Sequence, residues 1–158
     1  MPYLRKLALG LVFVTGLMAA PARAESPLSL ANFQIAGIGA FSGTASSYFG
    51  QISWTPYFGV GPVGIRGEIG ITGFDFGGGR TWVTNYEALL HLPLFPGLAV
   101  EGGGGLHFWH GSNPAALAIT ANVIAPGLLG FDRFFAGYTR YTGGLGANEI
   151  RVGFGFEL

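Results

Sequence analysis

The sequence predicts an all-β protein, an eight-stranded antiparallel up-and-down transmembrane β-barrel preceded by a cleavable signal peptide. Three observations carry this expectation. Apolar residues recur at every second position in segment after segment, the period of a strand with two unlike faces. The chain is 49% hydrophobic and only 10% charged, against about 25% charged residues in an ordinary water-soluble domain. Glycine supplies 29 of the 158 residues and aromatics 15%, without the fixed triplet register of a collagen. The same figures exclude other classes. Formal net charge is zero and cysteine is absent, so neither a basic nucleic-acid binder nor a disulfide-stapled module fits. The hydrophobic share excludes a disordered chain.

Residues 1–24 read as an address. Arg5 and Lys6 precede an apolar run over 7–20, and Ala22-Arg23-Ala24 has the small-x-small form of a signal-peptidase site. The run is short of the about 20 residues that a spanning helix needs. Cleavage after Ala24 leaves a mature domain, 25–158, with five arginines, no lysine and eight acids, a formal charge of −3.

The strands follow in order. Residues 33–41 set Phe33, Ile35 and Phe41 against Gln34 and several small residues, and 48–56 set Tyr48, Ile52 and Trp54 against Gln51, Ser53 and Thr55. In 65–74, Ile65, Gly67, Ile69, Ile71 and Gly73 alternate with Arg66, Glu68, Gly70, Thr72 and Phe74. Residues 82–91 place Trp82, Thr84, Tyr86, Ala88 and Leu90 opposite Val83, Asn85, Glu87, Leu89 and His91. In 98–109 an apolar row of Leu98, Val100, Leu106 and Phe108 opposes Glu101 and His107, with glycines between. Residues 116–124 set Leu117, Ile119 and Val123 against Thr120 and Asn122. The uncharged stretch around them could be a helix, but Pro126 and Gly127 cut it. Residues 134–141 are strand-like with two similar faces. Residues 149–158 close the chain with Ile150, Val152, Phe154, Phe156 and Leu158 against Glu149, Arg151 and Glu157. Connections alternate. Those at 60–63, 93–97 and 125–127 are tight, apolar and Pro-marked. Those at 43–46, 75–81, 111–114 and 142–148 are polar or glycine-rich, about four to seven residues each. This is the pattern of a meander closed into a barrel, with the first set on the periplasmic side.

Alternation alone cannot distinguish a soluble barrel with an apolar core from a membrane barrel turned inside out. Charge supply can. Thirteen charges in the mature domain are too few to solvate an outer surface when many fall on strand faces. Arg66, Glu68, Glu87, Glu101, Glu149, Arg151 and Glu157, with Asn85, Gln51 and Thr120, are therefore expected to line the lumen as a polar network. Strands of about ten residues, tilted about 40°, rise about 25 Å, the height of the apolar band of such barrels. Aromatics fall near both strand ends, as two interfacial belts require. Trp54, Tyr57, Phe58, Phe95, Phe131, Phe134 and Phe156 stand near the periplasmic ends. Tyr48, Phe49, Phe74, Phe76, Trp82, Phe108, Trp109, Tyr138 and Tyr141 stand near the outer ends.

Signal peptide, eight amphipathic strands and the closing run IRVGFGFEL together resemble the small eight-stranded outer-membrane barrels of OmpA/OmpX type, over about residues 30–158. The resemblance is one of pattern. It implies a barrel without a C-terminal periplasmic domain, located in the outer membrane of a Gram-negative cell envelope. The implied partners are outer-membrane lipid and lipopolysaccharide, together with the export and barrel-assembly machinery. In that class the last strand usually ends in an aromatic residue, whereas this chain ends in Leu158 with Phe156 two before it.

Chemistry-bearing motifs are sparse. His107 and His110 lie three apart on a strand, hence on opposite faces, and no metal site is expected. Gly77–79 and Gly102–105 lack the Lys-Ser/Thr and helix of a phosphate loop. His110-Gly-Ser112-Asn113 resembles the His-x-Ser-Asn motif of lipid A deacylases. That likeness would make Ser112 nucleophile, His110 its base and Asn113 an oxyanion donor. The acid that family places about twelve residues later is missing here, where Asn122, Val123 and Ile124 stand. The expectation is a non-catalytic barrel without cofactor, with a structural or surface-interaction role. A lipid A deacylase-like hydrolase, a narrow pore and a soluble ligand-binding barrel are the alternatives.

Overall fold

A computed structural model describes residues 27–42, 45–60, 63–75, 80–111, 115–127, 130–142 and 147–158. The predicted signal peptide lies outside them, as do Phe76, Ser112 and Asn113. The described strands are β1 (Leu28–Ser29), β2 (Asn32–Ser42), β3 (Ala45–Trp54), β4 (Tyr57–Val60) and β5 (Val63–Asp75). They continue with β6 (Arg80–Phe95), β7 (Leu98–His110), β8 (Ala116–Pro126), β9 (Arg133–Thr142) and β10 (Asn148–Glu157).

All pairings are antiparallel, and the sheet closes on itself. β10 pairs β2 without a break from Asn148↔Phe41 to Glu157↔Asn32, and β5 pairs β6 from Gly64↔His91 to Asp75↔Arg80. Closure removes the unpaired edges that an open sheet would expose. The barrel has eight staves, the number the alternation predicts, because β1 with β2 and β3 with β4 each form one bent stave. The second bend follows from Pro56, which has no N–H to give to a ladder. The chain there bonds as best it can: Thr55 N–H donates to Asn32 O at 2.8 Å and Pro56 O accepts from Gly67 N–H at 2.8 Å. The facing bend at Leu30 frees a carbonyl, which accepts from Trp54 Nε1 at 2.6 Å. Strand pairing beyond Pro56, Tyr57↔Arg66 to Val60↔Val63, extends the wall past the strand end expected at 56.

β6 likewise runs past the expected 82–91, and the turn after it is Phe95-Pro96-Gly97-Leu98. Proline presets the second position, and Gly97, with φ of 80°, takes the left-handed third position. At the opposite end the strands also run on, leaving only residues 43–44 between β2 and β3 and 76–79 between β5 and β6. Those connections are shorter than the expected 43–46 and 75–81, two residues in place of four and four in place of seven. The first and last described residues and the 96–97 turn lie on one end of the barrel, the terminal end. The other is the loop end.

Among the described side chains burial alternates along most of the wall, with breaks at residues 102–105 of β7 and 92–95 of β6. β8 is buried at Ala116, Ala118, Thr120, Asn122 and Ile124 and exposed between them. β10 is buried at Glu149, Arg151, Gly153 and Gly155. The similar faces of 134–141 resolve in β9: Arg133, Phe135, Thr139 and Tyr141 point inward, while Phe134, Tyr138 and Arg140 point outward. Register decides this, because Gly137 stands opposite inward Arg151. Glycine makes close packing possible at Gly105, where a Cβ would strike the Tyr86 carbonyl of β6.

Candidate functional site in the lumen

The inward rows carry the charge. Arg151 on β10 is fully buried, at 0% exposure, and it is the hub of a cluster spread over eight strands. Its Nη1 donates to Glu68 Oε1 at 2.7 Å, its Nη2 donates to Glu87 Oε2 at 3.3 Å, and its Nε lies 3.7 Å from Glu149 Oε1. Glu68 accepts three more bonds, from Gln34 Nε2 and Gln51 Nε2 at 2.8 Å each and from Asn85 Nδ2 at 2.7 Å. Glu87 Oε1 is 2.7 Å from His107 Nε2 and accepts from Thr120 Oγ1 at 3.0 Å. Tyr141 completes the arc. Its hydroxyl donates to Glu149 Oε2 at 2.6 Å, so the hydroxyl oxygen is left to accept from His107 Nδ1 at 3.0 Å. Burying charge is tolerable only where opposite charge and hydrogen bonds surround it, and this cluster supplies both.

A second cluster lies toward the terminal end. Arg66 Nε donates to Glu101 Oε1 at 2.6 Å. The same oxygen is 3.0 Å from His91 Nδ1, and Glu101 Oε2 accepts from Asn122 Nδ2 at 3.3 Å. The Arg66 guanidinium stands 5.2 Å from the centre of the Tyr57 ring, whose edge meets His91. On β6 the buried Leu89 stands between Glu87 of the first cluster and His91 of the second.

The two ends of the lumen differ. The loop end is closed by an apolar layer of buried Ile38, Ala40, Val83, Trp109, Ala116 and Ala147, with the Trp109 and Tyr141 rings edge to face at 5.6 Å. The terminal end opens into a cavity of about 600 Å³. Its polar side is Asn32, His91, Asp132, Arg133 and Glu157, and its apolar side is the 93–98 turn with Ile124 and Pro126. Arg133 Nη2 donates to Thr55 Oγ1 at 2.7 Å. The side chain fits because Gly155 lies beneath it, where a Cβ would collide.

Of the seven residues expected in the lumen, Arg66, Glu68, Glu87, Glu101, Glu149 and Arg151 are buried inside, in two clusters and not one network. Glu157 is a correction. Although it shares the inward parity, it is the last residue of β10, at the open rim, and is exposed. There its Oε1 accepts from Ser29 Oγ at 2.7 Å. Three expected belt aromatics are also corrected: Tyr57, Trp109 and Tyr141 are buried in the lumen. His107 and His110 part as their spacing requires, His107 buried inside and His110 exposed outside, 3.4 Å from Thr84 Oγ1. Among the described residues no group of three or more His, Cys, Asp or Glu is placed to hold a metal ion.

No protein-family model matches the chain, and no curated protein does. Solved structures do. A de novo designed transmembrane β-barrel superimposes with a TM-score of 0.56 at 7% identity, over 85% of this chain and 98% of its own. The Yersinia pestis outer-membrane protein Ail, determined in a phospholipid bilayer nanodisc, superimposes with a TM-score of 0.52 at 12% identity, over 81% of this chain and 99% of its own. At such identities the likeness is one of fold. The chain has the closed, eight-stranded antiparallel fold of transmembrane β-barrels.

Proposed function

We propose that the protein is an integral outer-membrane β-barrel of a Gram-negative envelope, with a structural or surface-interaction role and no catalysis. On this reading residues 1–24 are removed after export, and 25–158 insert with the help of the barrel-assembly machinery. The terminal end then faces the periplasm, the loop end faces outside, and lipid with lipopolysaccharide surrounds the wall. One observation carries the reading, the inversion of the two faces. Arg151 is 0% exposed, whereas Ile69 and Ile71 on the outward row are 43% and 50% exposed. Water-soluble proteins arrange these the other way, and a barrel in hydrocarbon must arrange them so. Two packed charge clusters under an apolar lid support a plug in preference to a pore, since eight strands leave an interior that side chains fill.

Expression with the leader intact, followed by fractionation, tests this. The protein is expected in outer membranes, with gel mobility that changes on heating. Recovery from the soluble periplasm would overturn the reading. Ile69→Arg, at the middle of β5, should cost about 2–4 kcal/mol as a charge on the lipid face and impair insertion far more than Glu68→Gln. Equal effects would refute the assignment of faces.

A further inference from the structure

The outward face of the long strands is apolar, small or uncharged almost throughout. Among the described side chains on it, Arg140 alone carries a full charge. Arg140 is exposed, and among the described residues no carboxylate pairs with it. It lies two residues before the end of β9 at Thr142, hence near the loop end. Its neighbours across the ladder are Asn148 on β10 and Ile119 on β8.

Asn148 is held in a particular orientation. Tyr138, outward on the same face, donates its hydroxyl to Asn148 Oδ1 at 2.5 Å. The carbonyl side of the amide is thereby occupied, and Nδ2 is left to donate. Directly opposed residues on one face have Cβ atoms about 5 Å apart. The guanidinium and the amide therefore present donors side by side to whatever lies against the wall. Beside this pair and toward the middle of the barrel the surface is aliphatic: Ile119, level with Arg140, and Ile150 and Val152 farther in are all exposed.

We propose that Arg140 and Asn148 form a binding site for the phosphate of an anionic outer-leaflet lipid, whose acyl chains lie on Ile119, Ile150 and Val152. This rests on the membrane reading above and adds a ligand to it. A cation on a wall facing hydrocarbon needs an anion at headgroup level, and guanidinium suits the oxygens of a phosphate. Free phosphate would gain only one exposed ion pair, worth little. A lipid phosphate also brings chains that cover the aliphatic surface.

The test uses the full mature barrel in phosphatidylcholine nanodiscs, as wild type and as R140Q, R140K and N148A. Phosphatidic acid, extra phosphatidylcholine or inorganic phosphate is added. The Nε–Hε NMR signal of Arg140, assigned from R140K, and native mass spectrometry of retained lipid are read. The expected result is a shift with phosphatidic acid alone. R140Q should retain roughly three-fold less of it, the scale of a partly exposed ion pair, with N148A intermediate. Equal response to phosphatidylcholine or inorganic phosphate, or wild-type retention by R140Q, would overturn the site. Heat-dependent mobility of each variant separates the two levels. A barrel that never enters the nanodisc overturns the membrane reading itself, and one that enters without phosphate selectivity overturns only this site.

Discussion

The lumen holds the same ion-pair chemistry twice, in different surroundings. Arg151 faces Glu68, Glu87 and Glu149 beneath a lid of Ile38, Val83 and Trp109. Arg66 faces Glu101 one layer away from the open cavity that His91 helps to line. In the first cluster every acceptor must find a protein donor, and the sequence supplies Gln34, Gln51, Asn85, Thr120, His107 and Tyr141 for that purpose. In the second, fewer partners are needed because the neighbouring mouth is roomy and polar enough for water. Depth within the barrel, more than charge count, sets how many uncharged polar side chains accompany each arginine.

Removing each arginine should separate the two most sharply. Arg151→Met leaves three buried carboxylates facing one another, and losing one side of a buried pair costs about 3–5 kcal/mol. Arg66→Met leaves only Glu101, which keeps Asn122 and His91 and lies close to the mouth. About 1.5–3 kcal/mol is expected there, the worth of a hydrogen bond to a charged group. Urea unfolding of the barrel in micelles, followed by tryptophan fluorescence and heat-dependent mobility, measures both. Similar losses would mean that the apolar lid does not isolate the first cluster. If Arg151→Met fails to fold, the triple variant that also carries Glu68→Gln and Glu87→Gln should recover folding, since it removes the repulsion along with the cation.

Much of this was legible in the sequence, for a physical reason. Where charges alternate with aliphatics, as in 65–74 and 149–158, chemistry labels each face and the period of two does the rest. The bends at Leu30 and Pro56 were less legible, since a proline marks a break without saying that pairing resumes beyond it. Aromatics near strand ends were ambiguous, because a ring there can join a belt at the interface or cap the lumen. Parity held the answer. Trp109 shares its row with Glu101 and His107. Residues 134–141 lacked even that help, because rings and small residues occupy both rows. Only the pairing with β10 labels them, and pairing is a property of the closed sheet. The division of the lumen into two clusters depends in the same way on which strands the shear of the barrel brings face to face.

Tyr141→Phe asks the finest form of the question, whether the sealed cluster depends on every one of its uncharged partners. The substitution keeps the ring against Trp109 and His107, at 5.6 and 5.0 Å between centres. It removes only the hydroxyl that links His107 Nδ1 to Glu149 Oε2. Glu149 keeps Arg151 Nε within 3.7 Å, so its charge is not abandoned, but one buried carboxylate oxygen and one buried ring nitrogen lose their partner. A loss of about 1 kcal/mol is expected from the net worth of a buried hydrogen bond, seen as a lower urea midpoint at unchanged slope. No loss would show that water reaches the first cluster, and the contrast between the two would then rest on charge count alone. A loss as large as that of Arg151→Met would mean that the hydroxyl, and not the guanidinium, holds Glu149 in place.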